Sequence, residues 1–286
     1  MSNLYNVNLV AANVDDLVVQ GITHIRECGQ RIDVTAGPGT QAFGVNYILE
    51  NSRARLHTLR HPVSTRYLCR ELLAYFQGSL NVHEGLGQAS GIWENVADEN
   101  HLINSNYGFY VFRQEASGGS QYNWVVANLR RNLQSRRALI NINQVSHKDL
   151  STKDFPCTVG IQFFVRQGAL CCEASSRSVD VLLGLPYDIA FFSFLNELVC
   201  QDLRDSSPYA IDLTLGYTMI KTSFTQIYDA TSHKADEVMA KNAVPSDALP
   251  TFAMPPIGNP RLTLQDIYNG TRHSEIVEWI YHNAKW

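Results

Sequence analysis

The segment that most constrains this chain runs from Cys157 to Leu203, CTVGIQFFVRQGALCCEASSRSVDVLLGLPYDIAFFSFLNELVCQDL. An alternating apolar run, a turn at Arg-Gln-Gly, a second apolar run, an Arg-Ser segment and a long apolar stretch spell strand, turn, strand and helix. The helix is predicted to begin near Pro186 or Asp188. Any fold must therefore accommodate both element types in close succession. Residues 15–29 predict a helix ending at Gly29, and RIDVTAGPGTQAFGVNYIL reads as a turn-rich loop through AGPG leading into a strand. STRYLCRELLAYFQG predicts an amphipathic helix with Ser64 as N-cap and Gly78 at its end. GIWENVADENHLINSNYGFYVF mixes aromatic and turn residues ahead of a strand, and YNWVVANLRRNLQSRRALININQ reads as helix, turn, strand. From Ile211 onward the pattern gives a strand, a helix around 223–241, a Pro-rich passage over 244–260 and a closing helix from about Thr263. Helices and strands alternate without a regular βαβ rhythm, and no repeat interrupts them, which predicts one α+β domain over residues 1–286.

Composition permits such a domain, since 45% of the 286 residues are hydrophobic. Lys and Arg number 23 against 27 Asp and Glu, a formal charge of −4. No general affinity for nucleic acid or anionic membrane is implied, so an anionic ligand must be met by local arginines. No run approaches the roughly 18–20 apolar residues of a membrane span. The N-terminus carries acids where an export signal has a basic start, which predicts a cytoplasmic protein. Cysteines 28, 69, 157, 171, 172 and 200 form no CxxC pair and no metal-site spacing with His, so no metal and a reducing compartment are expected. Cys69, Cys171, Cys172 and Cys200 read as small core residues.

Cys157 differs in standing at the entrance to a strand. A cysteine is a nucleophile only as thiolate, and nearby cations favour that form. Arg177 and the pair Arg136 and Arg137 are the candidate cations. Three converging arginines would form a phosphate clamp; taken alone, the Ser-Arg-Arg run reads as a solvated helix end. Glu71, an acid in an otherwise apolar helical turn, needs a partner or a chemical task. Residue chemistry alone leaves a cysteine hydrolase open, although no motif ties His147 to Cys157.

Six ordered motifs between Glu71 and Leu198 go further: RELLAYFQG, IWENVADEN, NYG, SRR, Pro-Cys followed by QFFV, and RSVDVLLGLPYDIA. In order and spacing they resemble the thymidylate synthase superfamily. The likeness is weaker over residues 15–60, where DVTAGPGTQAFG is similar to the family's phosphate loop, and weakest after 205. Within the superfamily the chain is most similar to the phage deoxycytidylate hydroxymethylases. It shares INSNYG around Tyr107, Cys-Thr where thymidylate synthases have Cys-His, and Asp188 where they have asparagine.

The resemblance implies a thymidylate-synthase-like α+β fold, with a mixed sheet packed with helices and the sheets back to back in a homodimer. It implies that Cys157 attacks C6 of dCMP, that 5,10-methylenetetrahydrofolate is the cosubstrate supplying a one-carbon unit to C5, and that water completes a 5-hydroxymethyl group. Arg177 and Ser178 are implied to hold the nucleotide, with Arg136 and Arg137 reaching its phosphate from a second subunit. Glu71 is implied to order water and relay protons, with Tyr107 near the nucleophile. Trp93, Asp180, Gly184 and Tyr187 are implied on the folate side. Asp188 is expected to choose the base: a carboxyl accepts from cytosine N4 and, when protonated, donates to N3, whereas asparagine suits uracil. The competing readings are a helix N-cap for Asp188 and structural or core roles for Glu71, Tyr107, Trp93 and Tyr187.

Departures from the pattern mark the open points. Val34 stands where the family carries a phosphate-loop arginine, with Arg31 as a substitute. GYTMIKTSF offers Met219 and Lys221 where thymidylate synthases place sugar-binding residues, so Lys221 joins the substrate candidates. Val96 replaces a tryptophan, which would admit water, and the closing HNAKW differs from the family's tail. Rival readings are a dCMP methylase using folate hydride, a CMP hydroxymethylase, and a catalytically silent regulator that binds nucleotide or RNA. The resulting expectation is a phage-encoded enzyme of the host cytoplasm that modifies nucleotides for DNA, without membrane or direct nucleic-acid contacts.

Overall fold

The computed structural model describes residues 6–243 and 252–285. In chain order its elements are β1 (Val7–Ala11), α1 (Val14–Cys28), β2 (Gln30–Val34), β3 (Gly37–Leu49), α2 (Val63–Gln77), β4 (Glu115–Ala116), β5 (Gly119–Ser120), α3 (Gln121–Arg131), β6 (Leu139–Asn141), β7 (Thr158–Arg166), β8 (Ala169–Asp180), α4 (Leu185–Ser206), β9 (Thr214–Tyr228), α5 (Ser232–Asn242), α6 (Pro260–Asn269) and α7 (Glu275–Asn283). Seven strands form one mixed sheet in the order β1, β3, β9, β8, β7, β6, with β2 paired to β3. β1 with β3 and β8 with β9 run parallel, and the remaining pairs are antiparallel. The architecture is α+β, a mixed sheet packed against helices.

α4 explains the packing. It is apolar on nearly every side, so it cannot lie on a surface, and it is buried against β8 and β9 with α1, α2, α3 and α6 around it. Its one fully buried acid, Glu197, is met by Arg53 Nε at 2.9 Å and by the buried Arg55, the partners that a charge in such a place requires. Cys69, Cys171, Cys172 and Cys200 are buried, as expected of core residues. Among the described residues no helix is long and apolar enough to cross a membrane.

Several local expectations are corrected. The AGPG stretch is the β2–β3 hairpin rather than a loop, with β3 beginning at Gly37. Ser64 lies inside the first turn of α2, where its hydroxyl donates to His57 O at 2.6 Å and caps nothing. The strand expected at Tyr107 is a helical turn that runs into a π-helical turn, Phe109–Arg113. The helix expected over 223–241 is divided: β9 continues to Tyr228 because β3 and β8 flank it along its length, and the α-helix begins only at Ser232, after a 3-10 turn over Asp229–Thr231. The closing helix is two, separated after Gly270, whose φ of 67° ends α6. Residues 244–251 of the Pro-rich passage and Trp286 of the HNAKW tail lie outside the described residues.

Candidate active site

Strand register places Arg177 opposite Cys157. Gln167 and Gly168, both at positive φ (51° and 77°), close the two-residue turn between β7 and β8. A bulge between Thr158 and Gly160 then shifts the register by one residue, and Arg177 N–H donates to Cys157 O at 2.8 Å. The Arg177 side chain folds back over the approach to the cysteine. Its Nε donates to Pro156 O at 3.2 Å, Nη2 to Phe155 O at 2.6 Å, and the guanidinium lies 5.3 Å from the Phe155 ring. Burial pushes the Cys157 thiol up to about 11; the Arg177 cation works against that shift, while the charges of Asp188 and Asp154 add to it.

Asp154, which sequence reasoning missed, fixes the loop before Cys157. Its carboxylate accepts from Asn104 N at 2.7 Å, Ser105 N at 2.8 Å and Ser105 Oγ at 2.5 Å. The Asn-Ser of INSNYG is thus a clamp on the loop that leads to Cys157. The rest of that motif docks on α2: Asn106 Nδ2 donates to Ala74 O and Ser79 O, at 3.2 and 2.8 Å. Gly108 allows the approach, since a Cβ there would sit 1.8 Å from Tyr75 O. Tyr107 is held between these anchors. Its ring stacks on Tyr75 at 5.6 Å and its hydroxyl bonds to Thr158, within electrostatic reach of Cys157 and Asp188.

Tyr67, Glu71 and Tyr75 recur every four residues and share one face of α2. Glu71 is 5% exposed, and Tyr67 Oη donates to its Oε1 at 3.0 Å. Burial, reinforced by the charge of Asp188, raises the Glu71 carboxyl to about 8, against the pull of hydrogen bonds from Tyr67 and Tyr75. Asp188 lies in the first turn of α4, its N–H donating to Gly184 O at 2.9 Å. A helix N-terminus favours the charged form, yet burial of the carboxyl prevails and raises it to about 7. No capping hydrogen bond engages its side chain, so the N-cap reading fails.

Asp180 ends β8 and shapes the turn into α4, its Oδ1 accepting from Leu182 N at 2.7 Å and Leu183 N at 2.8 Å. Burial raises its pKa, countered by those N–H groups and by the cations of Lys234 and Arg60. Gly184 closes the turn, donating to Asp180 O at 2.9 Å. The Tyr187 ring lies 4.5 Å from Tyr67, and the Trp93 indole N–H is buried without a well-formed hydrogen-bond partner among the described residues. Two aromatic rings, an indole N–H without a well-formed partner and an Asp180 Oδ2 without a hydrogen bond among the described residues fit a flat heterocycle such as a pterin.

Cys157, Arg177, Tyr107, Asp188 and Glu71 are therefore brought together, with Tyr67, Tyr187 and Trp93 beside them. Ser178 joins through Gln226, whose Nε2 donates to its Oγ at 3.0 Å. Gln226 and Tyr228 are further residues missed in the sequence, and Tyr228 feels the charges of Asp180, Cys157 and Arg177. Their signal was the alternation Thr-Gln-Ile-Tyr at the end of β9, hidden by reading that stretch as helix. Lys221 stands five residues back, about 16 Å along the strand, and is paired with Glu173 on the sheet face that also carries Met219. Arg31 makes two bonds to Asp229, at 2.8 and 2.7 Å. Arg136 and Arg137 are exposed on the loop before β6, their guanidinium groups without a partner among the described residues.

The family model for thymidylate synthase matches residues 18–267. The match begins within α1 and extends through β9 to α6, including the region after 205 where motif likeness is weakest. With a match over most of its length and a mixed sheet that carries these residues to one place, the chain belongs to the thymidylate synthase family.

Proposed function

We propose that this member of the family is a dCMP 5-hydroxymethylase. Family membership makes it a one-carbon transferase that uses methylenetetrahydrofolate at C5 of a pyrimidine nucleotide. The finer reading is carried by one observation: a carboxyl that burial holds near neutrality, Asp188, lies within electrostatic reach of the Cys157 thiol. Cys157 adds to C6 of the ring as thiolate, favoured by Arg177. Asp188, protonated, donates to cytosine N3 and accepts from N4. Arg177, Ser178, Gln226 and Tyr228 face the sugar and phosphate. Arg136 and Arg137, whose guanidinium groups have no partner among the described residues, reach the phosphate of a partner subunit in a homodimer. Glu71 orders water and moves protons, its raised pKa suiting an acid at neutral pH. Trp93, Tyr187, Gly184 and Asp180 hold the folate, which supplies the one-carbon unit.

Incubation of the purified protein with dCMP and methylenetetrahydrofolate, followed by mass spectrometry of the nucleoside, tests the reading. A 5-hydroxymethyl product is expected without formation of dihydrofolate. A 5-methyl product with dihydrofolate would replace it with the methylase, and faster turnover of CMP would move the substrate to a ribonucleotide. Undiminished turnover in Cys157→Ala would remove the covalent mechanism.

A further inference from the structure

We infer that Tyr67 is a positioning residue that fixes which oxygen of Glu71 carries the carboxyl proton, assigning it to Oε2. The inference rests on the proposed role of Glu71 as the acid that orders water and relays protons. Tyr67 lies one turn before Glu71 on α2, so helix geometry rather than a mobile loop sets their contact at 3.0 Å. The ring is held against Tyr187 at 4.5 Å, which limits where its hydroxyl can point. On the other side stands the indole N–H of Trp93, a group that can only donate and that acts on the Tyr67 hydroxyl as a donor without closing a well-formed hydrogen bond.

These constraints settle the direction of the bond. Tyr67 has one hydrogen of its own to place, Trp93 offers it only a donor, and Glu71 Oε1 is the acceptor within hydrogen-bond reach. Were Glu71 to donate from Oε1 instead, two donors would face the tyrosine oxygen and the Tyr67 hydrogen would have no recipient among the described residues. Oε1 is therefore the carbonyl oxygen of the neutral acid and Oε2 bears the hydrogen. Oε2 is the oxygen left buried without a well-formed partner among the described residues. A neutral Glu71 thus presents its O–H from Oε2, where the Tyr75 hydroxyl, which also reaches this carboxyl, a bound water or the nucleotide can accept it. Left to rotate, the acid would present either oxygen.

The measurement is the infrared C=O stretch of protonated carboxyl groups at pH 6, with Glu71→Gln identifying the band of Glu71. In Tyr67→Phe, which keeps the ring packing, this band should move to higher wavenumber because the carbonyl has lost its donor. Trp93→Phe should move it the same way by less, since Tyr67 becomes a weaker donor. Turnover by Tyr67→Phe should fall about fivefold with KM for the nucleotide nearly unchanged, the effect of one hydrogen bond of about 1 kcal/mol. The limb of the pH profile assigned to Glu71 should also shift upward. A merely structural tyrosine would lower thermal stability and leave the band in place, and an unmoved band overturns the inference. Full turnover in Glu71→Gln together with a displaced band would refute the acid's part in the reaction and uphold the placement of its proton.

Discussion

Replacing Asp188 with asparagine changes one oxygen for an NH2 group and removes the carboxyl proton, leaving shape nearly intact. In the wild-type protein the acid is raised to about 7 by burial alone, so on the proposed reading it supplies, close to neutrality, both a donor for N3 and an acceptor for N4 of cytosine. Uracil presents the opposite pattern at those two atoms. Each buried group left unpaired costs about 1–3 kcal/mol. Two mismatched groups are therefore worth about 2–6 kcal/mol, a discrimination between bases of about 30-fold to 10⁴-fold. Asp188→Asn should shift the ratio of kcat/KM for dCMP over dUMP toward dUMP within that range. The sign with pH follows from the same proton: activity on dCMP should decline as pH rises through about 7, and this limb should vanish in the variant. The assay is initial-rate kinetics on both nucleotides from pH 6 to 9, products being separated by chromatography. A ratio changed by less than about threefold, or a limb retained in the variant, would show that the base is read elsewhere.

Three further outcomes are expected. Arg177→Ala should slow iodoacetamide alkylation of Cys157 several-fold at pH 8, monitored on the Cys157 peptide, because the cation opposes the rise of the thiol to about 11; an unchanged rate would dissociate the two residues. Glu197→Ala should destabilise the protein by about 3–5 kcal/mol in denaturant titration, since it leaves the buried Arg55 uncompensated; a loss below about 1 kcal/mol would contradict that. Glu71 and Asp188 have folded pKa values of about 8 and 7, above their ordinary 4.5 and 3.8, so between those limits the folded state binds more protons than the unfolded state. Stability should therefore fall as pH rises from about 4 through about 8, and Glu71→Gln should flatten the melting-temperature profile over pH 5–9; an unaltered slope would place the cause in other groups.

Legibility in the sequence followed how local the determining interaction was. The β7–β8 hairpin and α4 could be read because turn chemistry at Gln167-Gly168 and a run of apolar residues decide them within the segment. The end of β9 could not, because residues 223–228 are extended only through pairing with β3 and β8, which are remote in sequence. That misreading hid Gln226 and Tyr228, while the family's sugar-binding positions directed attention to Lys221, whose partner Glu173 keeps it away from the site. Asp154 escaped for a related reason: its partners Asn104 and Ser105 lie about fifty residues upstream. Cys157, Arg177 and both acids were visible since each breaks a local pattern, a thiol at a strand entrance and charges amid apolar turns.

The two buried acids form a coupled pair rather than two separate groups. Asp188 is raised by burial alone, whereas Glu71 is raised by burial and by the charge of Asp188. Deprotonation is therefore ordered: Asp188 yields first, and its charge then holds the proton on Glu71. On the proposed reading, cytosine reverses the order, because pairing with N3 and N4 keeps the proton on Asp188. Removing that negative charge lowers the pKa of Glu71 just when a nucleotide occupies the site. A uracil ring, which cannot use a protonated Asp188 in this way, leaves Glu71 as it was. Base selection and proton delivery would then be a single electrostatic event, and Asp188→Asn should lower the apparent pKa of Glu71 even in the free protein, where the burial of Glu71 is unchanged.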